Sequence, residues 1–252
     1  MRLAIVTGAS RGLGLAVAEQ LLDQQYQLLA LSRRPSATLD AYAAERGATV
    51  QQWSVDVSGA DCAPRLEAWL SKRGGGAFDR AVLINNAAVL GRVGPVERMD
   101  ATTLADVLRV DLEAPAMICA AFLRATRGWR AERRVVNLSS GAGRVAIAGW
   151  AAYCAAKAGL DQLSRVMALD EARLPNPAKI VSLAPGVIDT DMQADLRASD
   201  ASEFPDLPRF MEFKASGQLA APKDAAARLL AFLDHKDFGT SAVADVRADC
   251  DR

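Results

Sequence analysis

RLAIVTGASRGLGLAVAEQLLDQQ, residues 2–25, is the stretch whose reading decides the fold. Leu3, Ala4, Ile5 and Val6 follow one another without polar alternation. That pattern belongs to a strand buried on both faces, as in the middle of a parallel sheet. AVAEQLLDQQ, residues 16–25, reads as a helix. Between them, Gly8, Gly12 and Gly14 make a TGxxxGxG turn. Glycines there let backbone N–H groups approach an anion at a helix N-terminus, where the dipole favours negative charge. A plain strand–helix turn is the alternative for such a loop taken alone. Its place, after an N-terminal strand and opening a helix, points to a nucleotide phosphate.

The same unit recurs outward along the chain. Apolar strands are expected at 27–34, 48–58, 80–89, 133–140, 178–186 and 238–246. Helices are expected at 36–46 (with Ser36 as cap), 62–73, 102–127, 151–172 and 222–235. Pro115 should kink the third of these, because proline lacks an N–H and clashes with the preceding turn. Strictly alternating strands and helices predict an α/β fold: a doubly wound parallel sheet of seven strands with helices on both faces. One domain is expected over residues 1–252, without repeats or a linker. Residues 187–218 break the rhythm with aromatics and methionines among charges and prolines. A long excursion of that kind is expected to cover a site.

Composition narrows the partners. Thirty basic residues balance thirty acidic ones, so no charge excess suggests nucleic acid or an anionic membrane. No apolar run approaches the roughly 18–20 residues of a membrane helix. The N-terminal apolar run reads as a buried strand and not a signal peptide. Cys62, Cys119, Cys154 and Cys250 are scattered without a CxxC pair, and are expected as free thiols in the reducing cytoplasm. A single histidine, His235, excludes a His-rich metal site.

Ligands of doubly wound sheets bind at the carboxyl ends of the strands. Gly12, Arg33, Asp56, Asn85, Ser140 and Pro185 all fall at such ends. After the second strand, dinucleotide folds usually place an acid to bond the ribose 2′-hydroxyl. Here Ser32, Arg33 and Arg34 stand instead. A carboxylate would repel a 2′-phosphate, and arginine can clamp one. The reading favours NADP over NAD, with Arg11 as a second cation; two arginines solvated at a strand end are the alternative. Asp56 could accept an adenine amino group or cap the next helix with Ser58. Asn85 and Asn86 read as ligand contacts or turn formers.

The chemistry sits in NLSSGAGRVAIAGWAAYCAAK, residues 137–157. Tyr153 and Lys157 lie four apart, one turn on one helix face. Ser140 ends the preceding strand. A phenol, an ammonium and a hydroxyl together form a proton-transfer site. Asp111 is a polar group in an otherwise apolar helix.

TGASRGLG, NNAA at 85–88, Ser140, YCAAK at 153–157 and PGVIDT at 185–190 resemble the short-chain dehydrogenase/reductase family of the compact single-domain type. The resemblance covers essentially the whole chain. DTDMQ at 189–193, the FK and GQL segment at 213–219 and Asp245 look most like sepiapterin reductases and bacterial benzil or diketone reductases. The resemblance implies that Tyr153 is the general acid–base, that Lys157 bonds the nicotinamide ribose and lowers the tyrosine's pKa, and that Ser140 holds the substrate carbonyl. It implies cofactor contacts from Gly8, Ser10, Arg11, Gly12, Leu13 and Gly14, from Asp56 and Val57, and from Asn85, Asn86 and Ala87. Pro185, Gly186, Val187 and Thr190 would meet the nicotinamide end. Two positions depart from the family. Asp111 stands where an asparagine usually supports a proton relay behind the lysine, so it could serve through its backbone carbonyl while adding a charge. Ala88 replaces a glycine.

The function so implied is reduction of a small ketone or dicarbonyl by NADPH; a non-catalytic NADP-binding sensor is the alternative. Met192, with Phe204, Phe210, Met211 and Phe213, would form an apolar lid over the substrate. Asp245 would anchor a pterin, or stand as an exposed acid in an acidic tail. A homodimer or homotetramer packed through the two long helices is implied by the resemblance alone.

Overall fold

The computed structural model describes residues 1–73 and 76–247. The thiol of Cys250 lies outside the described residues. In chain order the elements are β1 (Arg2–Thr7), α1 (Gly12–Asp23), β2 (Tyr26–Ser32), α2 (Ala37–Glu45), β3 (Val50–Ser54), α3 (Cys62–Ser71) and β4 (Arg80–Asn85). There follow α4 (Ala101–Leu108), α5 (Ala114–Ala125), β5 (Glu132–Leu138), α6 (Ala151–Glu171), β6 (Lys179–Ala184), α7 (Asp191–Arg197), α8 (Leu207–Ala215), α9 (Pro222–Asp234) and β7 (Val243–Asp245). The expected seven strands form one sheet in the order β3-β2-β1-β4-β5-β6-β7, every neighbouring pair parallel.

Alternation along each strand divides the core in two, because successive side chains point to opposite faces. Ala4, Val6, Leu28, Ala30, Val82 and Ile84 pack with α1 and α9 on one face. Leu3, Ile5, Leu29, Leu31, Leu83 and Val135 pack with α3 and α5 on the other. Burying each of the larger side chains contributes about 1.5–3 kcal/mol. The strand order reverses between β1 and β4. A crevice therefore opens at their carboxyl ends, where this architecture binds ligands.

The long helix expected over 102–127 is two helices joined by a π-turn, Arg109–Glu113. Pro115 explains the break. It cannot donate to the Asp111 carbonyl four residues back, and its ring crowds that carbonyl. The turn widens just before the proline, carrying Asp111 inward. Residues 187–218 are also more regular than expected, since α7 and α8 lie within them. Phe204 between these helices is fully buried, so this excursion has a small core of its own. Ser36 caps α2 as expected, its hydroxyl accepting from the Leu39 N–H at 3.3 Å.

Candidate active site

The glycine loop closes tightly on the switch point. A side chain at position 14 would place its Cβ 2.2 Å from the Gly8 carbonyl oxygen and 2.4 Å from Asn86 Nδ2. Only glycine fits there. Gly8 itself adopts φ +68°, which other residues rarely reach. Asn86 fastens the loop, donating from Nδ2 to the carbonyls of Thr7 at 2.9 Å and Gly8 at 3.1 Å. The Thr7 hydroxyl accepts from the N–H groups of Asn86 and Ala87.

A cavity of about 1060 Å³ runs from this loop to the lid. At the loop end it is lined by Gly8, Ser10, Arg11, Gly12, Leu13 and Gly14, by Arg33 and Arg34, by Asp56 and Val57, and by Asn86 and Ala87. In the middle lie Ser140, Tyr153 and Lys157, with Pro185, Gly186, Val187, Thr190 and Met192 beyond. The backbone carbonyls of Arg33 and Arg34 accept from Ser54 and Ser32, and neither guanidinium makes an ion pair among the described residues. Asp56 turns back on itself, one oxygen accepting from the N–H and hydroxyl of Ser58 at 2.9 and 2.7 Å.

Outside the lid, three expected residues do not line this cavity. Asn85 points the other way from Asn86, as strand alternation requires. It is buried and donates to Asn137 Oδ1 at 2.8 Å across the β4–β5 pair. Asp245 is held off by two arginines, with Arg247 bonded to both its oxygens and Arg144 at 3.9 Å. Arg247, and not Asp245, lines the cavity. Asp111 lies behind Lys157. Arg11 reaches the cavity but is paired with Asp191. Of the expected lid, Met192, Phe210 and Phe213 line the cavity. Phe204 is buried beneath them, and Met211 faces solvent.

The catalytic helix is anchored from several sides. Lys157 Nζ donates to the Leu138 carbonyl at 3.0 Å and lies 3.1 Å from Asp111 Oδ2. Asp111 Oδ1 accepts from the Val89 N–H at 2.8 Å. One turn further along α6, Asp161 accepts from Ser182 at 2.6 Å and from Arg144 Nε at 3.1 Å. Arg144 also donates to the Ala244 carbonyl at 2.8 Å. It thereby clamps the turn after Ser140 onto the helix that carries Tyr153.

Burial pushes the Tyr153 phenol above its ordinary pKa of 10. Lys157 and the Ser140 hydroxyl draw it down, and Asp111 and Cys154 push it up. Burial opposes the Lys157 charge, but Asp111, Tyr153 and Asp161 outweigh it and hold the ammonium protonated. Burial likewise lifts Asp111 above the usual carboxylate value, against the pull of Lys157 and the Val89 N–H.

Trp150 was not foreseen from sequence. It precedes α6, packs edge-on to Tyr153 at 5.5 Å and stacks on Phe204 at 5.6 Å. Phe210 joins them at 5.2 Å. With Val145, Ile147 and Leu196 these rings give the lid end of the cavity apolar walls. The clue was its place, three residues before the tyrosine on the same polar-poor segment. Arg209 and Arg247 also line the cavity without having been anticipated.

A hydroxyl, a phenol and an ammonium midway along a dinucleotide-sized cleft are the equipment of a nicotinamide-dependent oxidoreductase. The chain belongs to the short-chain dehydrogenase family, whose model matches residues 2–201. It is 33% identical to a Bacillus cereus benzil reductase, described as (S)-benzoin forming, over 94% of this chain and 96% of that one. It is 32% identical to the Bos taurus sepiapterin reductase, covering 96% of this chain and 93% of that one. An actinorhodin polyketide ketoreductase solved with NADPH superposes with a TM-score of 0.80 at 25% identity, covering 97% of this chain and 95% of that one.

Proposed function

We propose that this protein reduces a ketone or dicarbonyl to an alcohol with NADPH, with Tyr153 as the general acid. The observation that carries the reading is the meeting of Ser140, Tyr153 and Lys157 in one cavity with the glycine loop. The residues at the loop end suit NADP. Gly14 lets the loop close on Gly8 and Asn86 so that its backbone can face a diphosphate, and the end of β2 offers two arginines without an ion pair among the described residues, where a carboxylate would disfavour a 2′-phosphate. NADPH bound there supplies the hydride.

The chain's own groups supply the rest. Ser140 and Tyr153 hold the carbonyl oxygen between two hydroxyls, which polarises the carbonyl and fixes its orientation. Tyr153 gives its proton to that oxygen as negative charge develops there. Lys157, fixed by the Leu138 carbonyl and Asp111, keeps one donor for the cavity. Trp150, Phe210 and Phe213 exclude water and favour a flat, apolar substrate. An aromatic diketone of the benzil type suits this end better than a pterin, because Asp245 is committed to Arg247 and Arg144. The relatives' names support both substrate types, so a panel of diketones, aryl ketones and pterins should be assayed with NADPH and NADH. Turnover of a diketone with NADPH is expected. Oxidation of neither cofactor with any carbonyl contradicts the proposal.

The same reading extends to assembly. Met117 on α5 and Val166 and Leu169 on α6 are 46–66% exposed, which supports burial of these helices in a homodimer or homotetramer. Sedimentation of a monomer at micromolar concentration contradicts it.

A further inference from the structure

The buried acid behind the catalytic lysine does more than fix Lys157 in place, because it brings a charge of its own into the site. We propose that Asp111 is a positioning residue that holds Lys157 in a closed, neutral ion pair and so sets the pH above which Tyr153 stops being a proton donor. The proposal rests on the functional reading above and adds to it the control of its acid.

The geometry leaves Asp111 little other work. Its side chain is fully buried. One oxygen takes the Val89 N–H, and the other faces the Lys157 ammonium at 3.1 Å. The π-turn ahead of Pro115 brings it there. With neither carboxylate oxygen open to solvent, the Asp111 side chain is a dead end for proton transfer, and only its backbone carbonyl is left for a relay. The side chain's effect on the site is therefore electrostatic.

That effect has a definite sign. A buried ammonium alone would be neutralised by ionising the neighbouring phenol, which favours tyrosinate. A buried ammonium already neutralised by a carboxylate gains less from doing so, and ionising Tyr153 would leave the inner site with net negative charge. The other groups facing Lys157 and Tyr153 do not replace Asp111. Asp161 is engaged by Arg144 and Ser182. Ser140 offers an uncharged hydroxyl, and the Cys154 thiol is turned to the Val145 carbonyl at 4.0 Å. Among the described residues, Asp111 is thus the acid that compensates Lys157 directly.

The test uses protein labelled with 13C at tyrosine Cζ. There are three tyrosines, and the Tyr153 resonance is assigned by its loss in Tyr153→Phe. Asp111→Asn is isosteric and keeps an acceptor for Val89. In wild-type protein without cofactor, Tyr153 is expected to remain a phenol through pH 10, its ordinary value. In Asp111→Asn it should ionise at least one pH unit lower, and the alkaline limb of kcat/KM for reduction should move down with it. One unit above the variant's limb, reduction should fall about five- to tenfold relative to wild type. An unshifted Tyr153 resonance and limb in the variant overturn the proposal. If Asp111→Asn does not fold, Asp111→Ser, which also removes the charge, is read the same way: a Tyr153 resonance and limb moved down uphold the proposal, and an unshifted pair overturns it. Should no carbonyl substrate be reduced at all, the functional reading fails while the resonance still judges Asp111.

Discussion

Arg11 in the glycine loop and Asp191, the first residue of α7, are ion-paired, joining the two segments that flank the cavity. Both side chains are well exposed, and exposed pairs contribute little to stability. Asp191→Asn should therefore change unfolding free energy by less than about 1 kcal/mol. It should still speed NADPH release, because the lid is tied to the loop at this pair. Stopped-flow displacement of NADPH at low and high salt checks this. At low salt the variant should release NADPH faster than wild type, and the gap between them should narrow as salt rises.

Arg33 and Arg34 carry the expected preference for NADPH. Replacing both with alanine should raise KM for NADPH by on the order of 10–100-fold, the loss of charge-assisted phosphate contacts, and leave KM for NADH within a few-fold. Steady-state kinetics with both cofactors measures it. Equal losses for the two would assign these arginines to the fold and not to the 2′-phosphate.

Phe204 and Phe213 divide the lid's two tasks. Phe204 is fully buried under Trp150 and Phe210, so Phe204→Ala should cost about 3–5 kcal/mol of stability in denaturant titration. Phe213 lines the cavity, so Phe213→Ala should raise KM for an apolar diketone with a much smaller stability change.

Far from the site, Glu171 at the end of α6 is ion-paired with Arg127 and the buried Arg133, and accepts from the Ala178 N–H at 2.8 Å. Burial would raise its pKa, but these partners together hold it below the ordinary 4.5. A depressed carboxylate stabilises the fold above its unfolded value and loses that contribution as pH falls through its folded value. Glu171→Gln should cost about 3–5 kcal/mol at pH 7, since it leaves buried arginine charge uncompensated. The gap between variant and wild type should shrink below about pH 4 in urea titrations across pH.

Much of this molecule was legible in its sequence because burial on both faces leaves a plain mark. Unbroken apolar runs at 3–6 and 81–84 located the central strands, and the i, i+4 spacing of Tyr153 and Lys157 put both on one helix face. What stayed hidden depended on direction and long-range pairing. Asn85 and Asn86 are adjacent and identical in type, and only strand alternation decides which meets the cavity. Asp245 and Arg247 are two residues apart, and the arginine faces the cavity because the acid holds it there. Helices α7 and α8 were obscured by the charges and prolines around them. The pairing of Asp111 with Lys157 joins residues 46 apart in sequence, through a π-turn that Pro115 announces only as a kink.

The role of Tyr153 is tested most directly by Tyr153→Phe. The substitution removes one oxygen from a packed ring and leaves Lys157, Ser140 and the glycine loop in place. The account predicts that NADPH binding, followed by its fluorescence, stays within a few-fold of wild type while kcat for diketone reduction falls by about 10²–10⁴-fold, the usual contribution of a positioned general acid. A variant that binds NADPH and keeps more than about a tenth of wild-type turnover, well outside that range, would contradict it.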